Sequence, residues 1–284
     1  MITSAKLKNI VSKKSLGNNT ISAQLYQMFF FERILERISI SRYKDNIILK
    51  GGLLLSSIIG EDMRTTKDMD AILKSVLLEK SNVLNIMNEI LAIPLNDSVK
   101  FEIVDIKDIR EEDEYGGFKI NIVGMLERLR VNMFVEFTTG DKITPKEIDY
   151  NYSSIFEDKK ISILAYTIET ILAEKFETII SRSIANTRLK DFYDIYILMS
   201  NYKDIISNDV LVEAIKNTFR KRETNSNVDK IFEVISLIRN DNVMKNYWEK
   251  YQSKFSFAQG INYNEIMDKL EYILFLLEKE FVSV

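Results

Sequence analysis

Asp68 and Asp70 stand two residues apart in the run DMDAIL, and a glycine pair, Gly51-Gly52, precedes them. If Asp68 to Leu73 is a strand, its period of two puts both carboxylates on one face, with Cα atoms roughly 6.6 Å apart. That spacing suits a shared divalent metal. Met69, Ala71 and Leu73 alternate on the opposite face and anchor the strand in a core. The acidic face must then be wet or carry metal, because burying unpaired carboxylates is very costly. A glycine pair at a strand-to-helix turn lets phosphates approach the backbone, where the N–H groups and dipole of a helix N-terminus favour an anion. Turn and carboxylates together suit metal-assisted phosphoryl or nucleotidyl transfer. Taken singly, each is also what an ordinary turn or a solvated strand shows. Glu136 is the candidate third carboxylate, interrupting the apolar run MFVEF on the face of Asn132 and Phe134, where an exposed edge glutamate would look the same.

What is missing narrows the chemistry further. The chain has no histidine and no cysteine, which removes the commonest general base, the usual zinc ligands, the thiol nucleophile and any disulfide. No G-x-S-x-G elbow occurs. A hard, oxygen-liking cation such as Mg²⁺ (or Mn²⁺) is the natural cofactor. A net charge of −3 means that any nucleic-acid binding is local.

Basic residues come from the second half of the chain. Lys175 and Arg182 are seven residues apart, on one helix face about 10 Å from each other along the axis, and such a pair could grip a triphosphate. In the following helix Asp191 and Asp194 are i, i+3 neighbours. The same four residues also fit an ordinary interhelical salt-bridge network. Lys216, Arg220, Lys221 and Arg222 form a basic cluster, and Lys245, Lys250 and Lys254 interleave with Tyr247, Trp248 and Tyr251. Basic residues among aromatics suit a nucleic-acid strand, and a solvated helix face is the plain alternative.

The elements that must position these residues follow from pattern. At 284 residues the chain is long enough for two domains, and its two prolines and nine glycines predict long helices. Residues 22–40 read as an amphipathic helix, 46–49 as a short buried strand, and 51–60 as a helix of about two turns stopped by Gly60. The loop 61–67 feeds the strand 68–73, and a helix spans 75–92. Strands follow at 100–106, 118–123 and 129–137, and 149–160 reads as a connector. Helices are predicted over 163–183, 189–201, 209–222, 227–237, 242–255 and 262–281. The expectation is an α+β chain, with domains at 1–160 and 161–284. The polar N-terminal stretch does not read as a signal peptide, and no apolar run is long enough for a membrane span, so a cytoplasmic protein is expected.

Lys50-Gly51-Gly52, then Arg64-Thr65-Thr66-Lys67-Asp68-Met69-Asp70, then Lys175 with the later Arg188-Leu189-Lys190-Asp191-Phe192-Tyr193-Asp194, resemble the AbiEii (MenT) family. These are nucleotidyltransferase toxins of bacterial toxin–antitoxin and phage-abortive systems, and the resemblance covers most of the chain. It implies a polymerase-beta-like nucleotidyltransferase domain, a mixed sheet with flanking helices, followed by an all-helical domain that completes the active site and binds the acceptor. It implies transfer of a nucleotide from an NTP, with Mg²⁺, to the 3′ end of tRNA, which would block translation and growth. Asp68 and Asp70 would bind metal, with Glu136 as a possible third ligand, and Gly51, Gly52, Arg64 and Thr66 would lie at the nucleotide. Lys175, Arg182 and Lys190 would contact phosphates, Arg188 being the rival to Arg182, and Asp191 and Asp194 would complete the catalytic set. Leu53 departs from the Thr or Ser common in the family after the glycine pair, and Met69 from the usual Ile or Leu. A monomer with a cognate antitoxin encoded nearby is the implied state; with a kinase-like antitoxin, Thr66 is the hydroxyl to be phosphorylated. Nucleotidylation of a protein hydroxyl, and an NTP-binding regulator without chemistry, are the alternative functions.

Overall fold

The computed structural model describes residues 2–60, 66–109 and 116–282. The chain divides into two compact units, Met1–Gly140 with Glu147–Tyr166, and Asp141–Lys146 with Thr167–Val284.

The first unit opens with α1 (Ser4–Ser15) and α2 (Asn19–Ile40). Thr3 caps α1, and the Asn18 side chain accepts from the N–H groups of Thr20 and Ile21 to start α2. α1 has no counterpart among the predicted elements, because only Leu7 and Val11 of its apolar residues are buried and most of its other residues are polar. α2 buries Phe29, Phe30, Phe31, Ile34, Leu35 and Ile38 completely or nearly so. It also buries charge, and each charged group there has partners, as burial requires. Arg37 makes a bidentate pair with Asp97 at 2.8 and 3.1 Å. Arg33 pairs with Glu157 at 2.7 Å, and Glu32 accepts from Ser154 Oγ at 2.5 Å and Ile155 N–H at 2.8 Å.

Then come β1 (Ile47–Lys50), α3 (Gly51–Ile59), β2 (Asp68–Leu73), α4 (Lys80–Leu91), β3 (Val99–Ile109), β4 (Gly117–Leu126), β5 (Leu129–Thr138), β6 (Ile148–Ser153) and β7 (Lys160–Ala165). They form one seven-stranded sheet in the order β3-β4-β5-β2-β1-β7-β6. β2 runs parallel to β5, and β1 parallel to β7; the other pairings are antiparallel. The predicted connector at 149–160 instead contains β6, which pairs with β7 as a hairpin. The helix predicted from residue 163 starts only at residue 168, and the reason is periodic. Ile161, Ile163 and Ala165 are buried while Lys160 and Ser162 are exposed, the alternation of a strand. The strands are therefore not confined to the first 140 residues.

The second unit contains α5 (Ile168–Arg182), α6 (Leu189–Asn201), α7 (Asn208–Lys221), α8 (Val228–Asn240), α9 (Asn242–Lys254) and α10 (Tyr263–Val282). α5 packs on α6 and α7, and α10 packs on α6 and α8. Thr167 caps α5, accepting from Thr170 N–H at 3.1 Å and donating to the Thr144 carbonyl at 2.8 Å, which ties the 141–146 segment to the helices. The α+β arrangement, a mixed sheet with flanking helices followed by helices alone, is the one expected from the sequence. Among the described residues no helix is long and apolar enough to cross a membrane.

Candidate active site

The site is built on one row across the middle of the sheet. Lys50 on β1 is opposite Asp70 on β2, Asp70 is opposite Glu136 on β5, and Glu136 is opposite Lys119 on β4. Directly opposed residues point to the same face, so the four side chains form a charged line, plus, minus, minus, plus. One step along, Asp68 is opposite Phe134, which is opposite Asn121. The other face of β2 is dry, with Met69 and Ala71 fully buried.

Gly51 brings the chain down onto this row. Its φ of +67° lies in the left-handed region, and a Cβ added there would sit 2.0 Å from Asp70 Oδ2. Only glycine lets the start of α3 press against the carboxylate. The Gly52 N–H donates to Asp70. From the loop side, Thr66 Oγ1 donates to Asp68 Oδ1 at 3.1 Å, close also to the Asp68 carbonyl at 3.2 Å. Thr66 is buried, with its hydroxyl turned onto Asp68. Arg64 lies outside the described residues.

Charge is unevenly matched here. Burial first, then the neighbouring charges of Asp68 and Glu136, push the Asp70 carboxyl up to about 6, with Lys50 and the Gly52 N–H opposing them. Glu136 is held by Lys119, whose ammonium donates to Oε1 at 2.7 Å. Lys50 is buried, its ammonium 5.6 Å from the Tyr166 ring centre.

In the helical unit a second polar cluster forms. Lys175 on α5 reaches two carboxylates of α6, Asp191 at 2.9 Å and Asp194 at 2.5 Å. Arg188 Nε lies 3.2 Å from Asp191. Burial works to raise the Asp191 carboxyl, but Lys175, then Arg188, outweigh it and hold it below the usual carboxylate range. Arg182, the last residue of α5, and Lys190 are exposed. Lys175, Asp191, Asp194 and Arg188 thus meet in one cluster, and Asp68, Asp70 and Glu136 meet in the other.

One residue of each basic grouping is engaged within the helical unit. Arg222 is half-buried and donates to Glu177 at 2.5 Å and to Thr178 Oγ1 at 3.2 Å. Trp248 is fully buried, stacks on Tyr251 at 5.4 Å and donates to the Ile261 carbonyl, so it belongs to the helical core and is closed to a nucleobase. Arg222 is turned onto α5 and Trp248 is packed within the helical unit, which a run of basic and aromatic letters does not reveal. Sequence reasoning gave no role to Lys50 and missed Lys119. A lysine alternating with apolar neighbours in a strand is the only local signal for Lys119, and nothing local says which strand it will oppose.

Among the described residues, no three acidic side chains stand where they could hold a metal ion together. The Asp68–Asp70 pair nonetheless fits one. Two carboxylates and the phosphate oxygens of a nucleotide are a normal Mg²⁺ environment, and Asp68 and Asp70 present their carboxylates on one face of β2.

A family model described as the nucleotidyl transferase AbiEii toxin of a Type IV toxin–antitoxin (TA) system matches residues 33–269. Two solved structures are similar over nearly their whole length. One is JHP933 from Helicobacter pylori, with 15% identity and a TM-score of 0.48, covering 92% of this chain and 95% of that one. The other is a putative nucleotidyltransferase from H. pylori, with 16% identity and a TM-score of 0.47, covering 90% and 97%. No functionally curated protein matches.

Proposed function

Because the chain belongs to the AbiEii family of nucleotidyltransferase toxins, we propose that it transfers a nucleotide from an NTP to the 3′ end of tRNA and so arrests translation and growth. A toxin of this kind acts opposite a cognate antitoxin, and phage defence is the setting that the family resemblance suggests. The observation that carries the reading is the Asp68–Asp70 pair on one face of β2, with Asp70 pressed against Gly51 at the start of α3.

In this reaction the terminal hydroxyl oxygen of the acceptor attacks the α-phosphorus of the NTP. The bond from that phosphorus to the bridging oxygen breaks, and pyrophosphate leaves. A divalent cation, when bound, neutralises phosphate charge and makes the attacking hydroxyl more acidic. Asp68 and Asp70 would hold it, and Mg²⁺ is the natural choice for an all-oxygen set. Thr66 fixes Asp68 through its hydrogen bond, Gly51 leaves room for phosphate at the backbone, and the first turn of α3 offers N–H groups to it. With no histidine in the chain, the proton of the attacking hydroxyl goes to a carboxylate or to solvent. Glu136 faces the same side as the acidic pair and is held through Oε1 by Lys119.

The Lys175 cluster we assign to the same chemistry on family resemblance. Asp191 and Asp194 hold the ammonium of Lys175 in place, and the role proposed for it is to neutralise phosphate. Arg182, Lys190 and Arg64 are proposed as further phosphate contacts.

Incubating the protein with total tRNA and each labelled NTP in turn tests the proposal. Label is expected on tRNA with one NTP, with release of pyrophosphate. Asp70→Asn is expected to keep the fold and lose at least a hundredfold in transfer, a typical scale for a group acting on the transition state. Label on protein in place of RNA would move the acceptor to a protein hydroxyl. Full transfer by D70N would overturn the assignment of the site.

A further inference from the structure

Lys119 lies in the same row as the carboxylates and is fixed from two sides. Its Nζ donates to Glu136 Oε1 at 2.7 Å, and it stands 4.6 Å from the centre of the Phe134 ring, a cation–π distance. Phe134 is itself the cross-strand neighbour of Asp68, and Glu136 that of Asp70. The ammonium is thereby anchored on the face that Asp68 and Asp70 present. A lysine carries its charge at neutral pH, and here that charge lies against Glu136 Oε1.

We propose that Lys119 is a built-in cation, whose ammonium gives Glu136 the positive charge that a second metal ion would otherwise bring, leaving Asp68 and Asp70 to hold one divalent ion. The purpose of this arrangement rests on the nucleotidyltransferase reading. Three carboxylates on one face of the sheet repel one another, and that face without Lys119 would draw in a further cation to relieve the repulsion. With Lys119 in place, a metal ion approaching Glu136 meets the like charge of an ammonium already bound to Oε1 at hydrogen-bond distance. Lys119 is a positioning residue in this scheme: it sets where metal binds and touches no reacting atom.

The test is a titration of the nucleotide-free, full-length protein with Mn²⁺, followed by the loss of the free-ion paramagnetic resonance signal. Wild type is expected to saturate at one ion. Lys119→Met and Lys119→Gln are each expected to bind Mn²⁺ at least tenfold more tightly, and Lys119→Arg, which keeps the charge, to bind as wild type does. Adding Glu136→Gln to K119M is expected to abolish the gain. Saturation of wild type at two ions, an unchanged affinity in both charge-removing variants, or a gain that survives E136Q would each overturn the proposal. Lys119 is one-third exposed, so its replacement leaves the core intact, and circular dichroism of each variant checks this. No nucleotide enters the titration, so failure of the transferase reading, seen as no pyrophosphate release with any NTP, is read separately.

Discussion

At the scale of residues, the tightest constraint is the contact of Gly51 with Asp70. Alanine at position 51 would have to adopt a positive φ, at a cost of about 1–2 kcal/mol, and its methyl group would meet Asp70 Oδ2 at 2.0 Å. Something must yield, and the carboxylate is what lies in the way. Gly51→Ala is expected to lower stability by about that amount and to weaken Mn²⁺ binding at least tenfold, while a distant surface substitution does neither. An urea melt and the same resonance titration check both halves, and Mn²⁺ binding by G51A equal to wild type would refute the constraint. The two aspartates were legible from the sequence, since a period of two needs only local backbone geometry. Glu136 was legible as a candidate third carboxylate, but Lys119 and the row itself were not. Lys119, Glu136, Asp70 and Lys50 come from four strands, and no local pattern states that they form one row.

At the scale of elements, start signals carry more than they seem to. The pattern over 163–183 opens on the mostly apolar run ILAYTI, which a strand and a helix share. What divides them is Thr167, which caps α5 and at the same time holds the carbonyl of Thr144. Thr167→Ala removes an N-cap, worth about 1–2 kcal/mol, and is expected to lower the melting temperature measurably, whereas Thr167→Ser retains the hydroxyl and recovers most of it. A T167A protein that melts like wild type would show that the cap is dispensable. Elements with strong helical periodicity were readable within a residue or two, α6 and α9 among them. β6 was not, because its residues Ile148–Ser153 are mostly exposed and only Tyr152 is deeply buried, which leaves little alternation to read.

At the scale of the whole molecule, the sheet unit carries a buried acid whose state depends on pH. Glu32 is fully buried, and burial raises its carboxyl from 4.5 to about 7, against the lowering effect of Ser154, Ile155 and Arg33. The folded state therefore holds this proton more tightly than the unfolded chain does. Its contribution is complete below pH 4.5 and is lost as pH rises through about 7. Glu32→Gln has no proton to lose. Relative to E32Q, wild type is expected to lose on the order of 3 kcal/mol between pH 4.5 and 8, read from urea midpoints at the two pH values. An equal difference at both would mean that Glu32 titrates normally. Such a group follows from the fold and not from the letter: a glutamate on an amphipathic helix is ordinarily a solvated one, and this one is inside because α2 is covered on nearly every side. The sequence by itself determined the chemistry open to this protein, because residue types are fixed in the chain: without histidine and cysteine, an aspartate pair beside a glycine turn leaves metal and phosphate. Only the tertiary structure decided which charges meet, because strand order and helix packing join residues far apart in the chain, and the energy of a charge is set by what is packed against it.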